Sequence, residues 1–207
     1  MSTKAFRFFG VAVLPVLIAG CGVKEQGSSS TLAIIQELSA SPGVKPEFGT
    51  HLFSDVSTLV KRDDKDGGNY FGVYADNGRV TMAATLKDQG APGSTNAPSP
   101  LNSITFTHYR VVYRRTDGHN IEGVDVPFAF DSGLTFTVFG GANASATFPI
   151  VRVTAKEEAP LRALTFSGGT INTIADVTFF GKDQANKDVQ VTGSIDIAFS
   201  DFIDPTS

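Results

Sequence analysis

From Thr31 onward, hydrophobic and polar positions alternate along most of the chain with a period of two. The clearest run spans residues 189–199, where Val189, Val191, Gly193, Ile195, Ile197 and Phe199 alternate with Gln190, Thr192, Ser194, Asp196 and Ala198. That pattern predicts a strand with one face buried and the other in water. Val80, Met82, Ala84 and Leu86 alternate with Thr81, Ala83, Thr85 and Lys87 in the same way. Just before them Asn77-Gly78 follows FGVYAD, and Asn-Gly supplies the two positive-φ residues of a type I′ turn, so a hairpin is predicted here.

In ITFTHYRVVYRR, residues 104–115, the apolar parity changes partway: Ile104 and Phe106 share one face, while Tyr109, Val111 and Tyr113 share the other. A bulge near His108, or burial on both faces, accounts for such a switch. Asp117-Gly118 gives a further turn. More strands are predicted at residues 124–130, 134–139, 146–155, 161–166 and 172–181, with less regular ones near 32–38 and 52–59. No long stretch has helical spacing. Many short strands separated by Gly, Asp and Asn turns predict an all-β, antiparallel Greek-key (immunoglobulin-like) β-sandwich, although the antibody hallmarks of a Trp and a cysteine pair are absent. GAPGSTNAPSP, residues 90–100, reads as a surface loop within one sandwich, because neither side of it has enough strands for its own core.

The first thirty residues follow a different rule. Lys4 and Arg7 give a positive start, and Phe8 through Ala19 form an apolar run of about a dozen residues, the length of a signal-peptide core. A membrane-spanning helix needs roughly 20 apolar residues, and Pro15 interrupts this run. Ile18-Ala19-Gly20-Cys21 then resembles the bacterial lipobox, with an aliphatic residue and two small ones before an invariant cysteine; Ile18 stands where Leu is commonest. The resemblance implies that the Cys21 thiol receives a diacylglyceryl group, that cleavage falls just before it, and that the new amino terminus is acylated. Two or three acyl chains anchor a protein stably where one binds transiently.

The expected organisation is therefore a lipoprotein signal peptide over residues 1–20, a lipidated tether over 21–30 (CGVKEQGSSS, small and polar) and one β-sandwich domain over 31–207. Gly22 rather than Asp follows the cysteine, which favours sorting to the outer membrane of the bacterial envelope over retention in the inner one. The second half of the chain, from THYRVVYRRTDGHNIEGVDVPFAF to GKDQANKDVQVTGSIDIAF, is similar to modules of secreted bacterial lipoproteins, a similarity that brings no activity with it.

Composition narrows the picture further. The whole chain carries a formal charge of −4, and loss of Lys4 and Arg7 with the signal makes the mature protein more acidic, so nucleic acid is not an expected partner. Cys21 is the only cysteine; once it is acylated, neither a disulfide nor a cysteine metal site can form. Stability must come from the core, to which 17 Phe contribute large apolar surfaces.

Candidate chemistry is sparse. His51, His108 and His119 lack metal-ligand spacing, and neither HExxH nor GxSxG occurs. Asp117, His119 and Asn120 cluster at a turn, which attracts these residues for backbone reasons. RDDKDGGN, residues 62–69, offers Asp63, Asp64, Asp66 and Asn69 as oxygen ligands for calcium. The EF-hand register fails there, since Arg62 falls at the first ligand position and Val73 where a Glu belongs, so a solvated acidic turn is the simpler reading. Asp183, Asn186 and Asp188 in GKDQANKD have only a turn to make.

No catalytic residue and no cofactor is assigned. The expected function is that of a lipid-anchored, non-catalytic binding or structural module of the cell envelope, facing a protein or glycan partner. The alternative is a tethered hydrolase of envelope polymers, for which Glu122, Asp125, Glu157 and Glu158 are available carboxylates. The absence of Trp and the presence of only four Tyr argue against a sugar cleft, which usually presents flat exposed rings.

Overall fold

The computed structural model describes residues 29–44, 47–60, 69–88 and 101–202. The signal segment with Cys21, the calcium candidates Asp63, Asp64 and Asp66, and the loop at 90–100 lie outside them. Among the described residues the chain is all-β. The strands are β1 (Thr31–Ser41), β2 (His51–Asp55), β3 (Thr58–Val60), β4 (Tyr70–Gly72), β5 (Asp76–Leu86), β6 (Ile104–Arg114), β7 (Phe130–Val138), β8 (Asn143–Val151), β9 (Thr170–Asp183) and β10 (Asp188–Ser200). One short helix, α1 (Val153–Glu157), and a single 3-10 turn, Leu161–Leu164, lie between β8 and β9.

Two sheets carry the core. One is three-stranded in the order β1-β5-β8; the other is five-stranded, β2-β10-β9-β6-β7, and curls. All their pairings are antiparallel except β2 with β10, which run parallel from Asp196↔His51 to Ser200↔Asp55. Phe148 of β8 reaches across from the smaller sheet to lie 4.8 Å from the Tyr109 ring of β6 and edge-on, at 5.3 Å, to Phe179 of β9. Around this trio Phe106, Val111, Val177, Ile197 and Phe199 are all essentially inaccessible. Buried phenols need hydrogen-bond partners. The hydroxyls of Tyr109 and Tyr113 donate to the Pro149 and Ile150 carbonyls of β8, at 2.8 and 2.6 Å, and so tie the two sheets together.

The alternation read along residues 80–86 is present in β5, where Val80, Met82 and Ala84 are buried. The parity switch in β6 is a bulge: against β9 Thr107 is the extra residue between Phe106 and His108, while against β7 the register shifts the other way, with Leu134 and Thr135 opposite Thr107 alone.

Four local expectations are corrected. Asn77-Gly78 makes no hairpin; both residues lie inside β5, paired with β1 at Ser41 and Ala40 and with β8 at Pro149 and Phe148. Gly78 is small because the Phe148 ring covers it, and a Cβ there would sit 2.7 Å from that ring. Residues 124–130 are a turn up to the start of β7, since Gly123 takes φ 75° and Asp125 Oδ2 accepts the Ile121 N–H at 3.0 Å. Residues 161–166 form the 3-10 turn and its exit; Leu161 and Leu164 are buried three residues apart, a spacing of one 3-10 turn. The strand expected over 146–155 ends at Val151, and Ala155 belongs to α1.

Candidate functional site

The strands have two ends. At one, the chain enters β1, β5 ends, β6 begins and β9 turns into β10. At the other lie the ends of β1, β2 and β10, the start of β5, the β3–β4 hairpin, α1 and the 3-10 turn. β9, with its 14 residues rising ~3.3 Å each, sets these ends about 40 Å apart.

The second end is held by a buried ion pair. Lys156 of α1 places Nζ 2.9 Å from Asp76 Oδ2 and 3.0 Å from Oδ1, and donates to the Asp55 carbonyl at 2.7 Å. Ser54 donates to Asp76 Oδ2 at 2.6 Å and the Gly43 N–H to Oδ1 at 3.1 Å. Burial pushes the Asp76 carboxyl up, while Lys156, Ser54 and Gly43 pull in the opposite direction. With Nζ bonded to both the Asp76 carboxylate and the Asp55 carbonyl, and both carboxylate oxygens engaged, the pair pins α1 onto the starts and ends of strands.

Above it opens a hollow of about 460 Å³ lined by Val56, Ser57, Val73, Glu157, Arg162 and Thr165, with Lys156 in its floor. On the same end Phe166 leaves the 3-10 turn with φ 57°, the left-handed region that a bulky residue rarely adopts. Its N–H donates to Asp201 Oδ2 at 2.6 Å, and Ser167 Oγ donates to the Leu164 carbonyl at 2.8 Å while accepting the Gly169 N–H at 3.1 Å. These bonds hold the strained residue in place. Its ring, 72% exposed, meets the 54% exposed Phe71 of β4 edge-to-face at 5.1 Å. Tyr70, next to Phe71, is also exposed, and its hydroxyl bonds Tyr74, pushing that phenol up. The arrangement is an exposed aromatic pair at the same end as a hollow that carries Arg162 and Glu157 above the paired Lys156.

The other candidates have local duties. Asp117 is bound by the Arg115 guanidinium, which, with the His119 N–H, holds its carboxyl down at about 2. Asn120 Oδ1 accepts the Arg115 N–H at 2.5 Å, closing the turn. Burial would raise Asp183, but bonds from the Lys187 N–H, Ser29 and the Ala185 N–H outweigh it and lower its carboxyl. Asn186 of the same turn takes φ 60°. His108 stacks on Phe180 and His51 lies edge-on to Phe53, on different strands. Glu122 and Asp125 lie between β6 and β7, whereas Glu157 and Glu158 close α1. Asn69 directly precedes β4. Among the described residues no three His, Cys, Asp or Glu side chains are grouped as for a metal ion.

Phe71, Phe166, Arg162 and the Asp76–Lys156 pair were not identified from sequence. Leu161 and Leu164 three apart, followed by Ser167-Gly168-Gly169, are the signal that marked Phe166 as the tip of a turn and not part of a strand.

No protein-family model matches this chain, and no curated protein or solved structure is similar to it.

Proposed function

We propose that this is a lipid-anchored cell-envelope protein whose β-sandwich binds a partner protein through the end that carries Phe71 and Phe166. One observation carries the reading: an exposed Phe is held in a costly backbone conformation and paired with a second exposed Phe, and its chain neighbour Thr165 lines the hollow at the same end. Strained residues cluster at functional sites, and exposed aromatics are typical binding anchors. The Ile18-Ala19-Gly20-Cys21 motif supports attachment through Cys21 and export to the envelope, with the outer membrane favoured by Gly22.

The finer fold reading, an immunoglobulin-like Greek key, is supported by strand order. β1-β5-β8 corresponds to strands A, B and E of such domains, and β10-β9-β6-β7 to G, F, C and C′. β2, parallel to β10, then continues the first strand onto the opposite sheet.

The test is photo-crosslinking in cells from position 71 or 166, with position 192 on the polar outer face of β10 as reference. A protein captured from both rim positions and not from 192 is expected; the same capture from all three, or none from the rim, overturns the reading. In parallel, Cys21→Ser should abolish incorporation of labelled fatty acid, and equal labelling of variant and parent would remove the anchor from the proposal.

A further inference from the structure

The opposite end of the sandwich carries its own exposed apolar side chains. Leu101, just before β6, is 79% exposed, and Phe139, just after β7, is 52% exposed. They belong to one surface, because Ile104 of β6 pairs with both Val138 of β7 and Asp183 of β9. Gln184 of the β9–β10 turn donates to Ser103 Oγ at 2.6 Å, which ties that turn to the segment bearing Leu101. The chain enters the body at the same place: Ser29 bonds Asp183, Thr31 pairs with Leu86, and the Lys87 N–H donates to the Ser30 carbonyl at 3.0 Å.

We propose that this end rests on the lipid bilayer, with Leu101 and Phe139 inserted at the interface. The inference builds on the anchor at Cys21. Eight residue-to-residue steps lead from Cys21 to Ser29, and whatever their course they span at most roughly 27 Å at ~3.4 Å per step. An acylated Cys21 therefore confines this end, and not the Phe71–Phe166 end about 40 Å away, to the neighbourhood of the membrane surface. Two apolar side chains would not hold a free protein on lipid. Next to an anchored chain their insertion is effectively intramolecular, and they add a preferred orientation to an attachment already made.

Charge does not drive the contact: Lys87, Lys182 and Lys187 at this end are matched by Asp88, Asp183 and Asp188. The seating is accordingly insensitive to salt and to the content of anionic lipid. Its consequence is that the aromatic rim points away from the bilayer, toward a partner in the aqueous compartment.

The experiment uses the mature lipidated protein in phosphatidylcholine vesicles, with and without phosphatidylglycerol. Because acylation consumes the one native thiol, Leu101→Cys, Phe139→Cys and Phe166→Cys can each be labelled singly with an environment-sensitive dye. Blue-shifted emission and strong quenching by nitroxide-bearing lipid are expected at 101 and 139, unchanged by salt or phosphatidylglycerol, with neither at 166. Protein that floats with the vesicles but shows equal, weak quenching at all three positions overturns the seating while leaving the anchor intact. Pyrene excimers between labels at 101 assign the surface to a second copy of the chain and overturn it too. Protein that fails to float removes the anchor itself, and this inference with it.

Discussion

Lys156 Nζ lies 2.9 Å from Asp76 Oδ2 with both side chains about 1% exposed, so an ion pair between residues 80 positions apart is sealed inside the protein. Such a pair is costly to break and much less costly to replace as a unit. Lys156→Met is expected to lower stability by about 3–5 kcal/mol in urea titrations, since it leaves a buried carboxylate without its cation. Asp76→Leu with Lys156→Met should be more stable than Lys156→Met alone. Losses below about 1 kcal/mol in the single variant would show that water reaches the pair.

The same variant makes a pH prediction. Without Lys156 the upward effect of burial on Asp76 loses its main opposition. The folded state then holds a proton that the unfolded chain releases near pH 4, so stability is greatest below that pH and falls as pH rises through the elevated folded value. Melting temperatures of the variant that climb from pH 4 to pH 7 would contradict this.

Burial also pushes the phenols of Tyr109 and Tyr113 up, Tyr113 the further of the two. Above pH ~10 the unfolded chain ionises its tyrosines while these two stay neutral in the fold, so stability declines with rising pH. Tyr113→Phe should flatten that alkaline limb. At neutral pH it should cost about 1–3 kcal/mol, because the Ile150 carbonyl loses its donor. An alkaline limb of unchanged slope would show that Tyr113 ionises freely in the folded protein.

Glycines differ by what they face. A Cβ at Gly181 would lie 2.4 Å from the Thr105 carbonyl oxygen, which is backbone beside the β6 bulge, whereas one at Gly78 meets the Phe148 ring at 2.7 Å and one at Gly133 meets nothing within 4 Å. Gly181→Ala should therefore destabilise most, Gly78→Ala by about 1–3 kcal/mol as an overpacked core does, and Gly133→Ala least. Denaturation midpoints in any other order would count against the close approach of β6 and β9.

Phe166→Gly separates stability from recognition. Glycine adopts φ 57° without the penalty of roughly 1–2 kcal/mol borne by other residues, which offsets the lost Phe71 contact and the added chain entropy. The expected outcome is a melting temperature close to that of the parent together with loss of partner capture from position 71. A variant that unfolds readily would make Phe166 a structural residue.

The local sequence determined the parts of this protein that depend on local alternation. The period of two specified the strands around Val80 and Ile195, because each side chain's face is set by its immediate neighbours along a pleated strand. For the same reason the parity switch between Phe106 and Tyr109 pointed to a bulge near His108 or burial on both faces, of which the pairing with β9 shows the bulge, at Thr107. Tertiary structure decided what those neighbours cannot encode. Asn77-Gly78 carries the residues of a turn, yet Phe148, 70 positions from Gly78, and strand partners on both sides hold it extended. Phe71 and Phe166 meet only because Asp201 holds Phe166 in place after the 3-10 turn while the β3–β4 hairpin brings Phe71 alongside. Lys156 reads as a surface lysine until Asp76, Ser54 and the Asp55 carbonyl surround it. In each case the deciding interaction is burial against a distant segment, and burial is a property of the assembled sheets, not of the chain taken a few residues at a time.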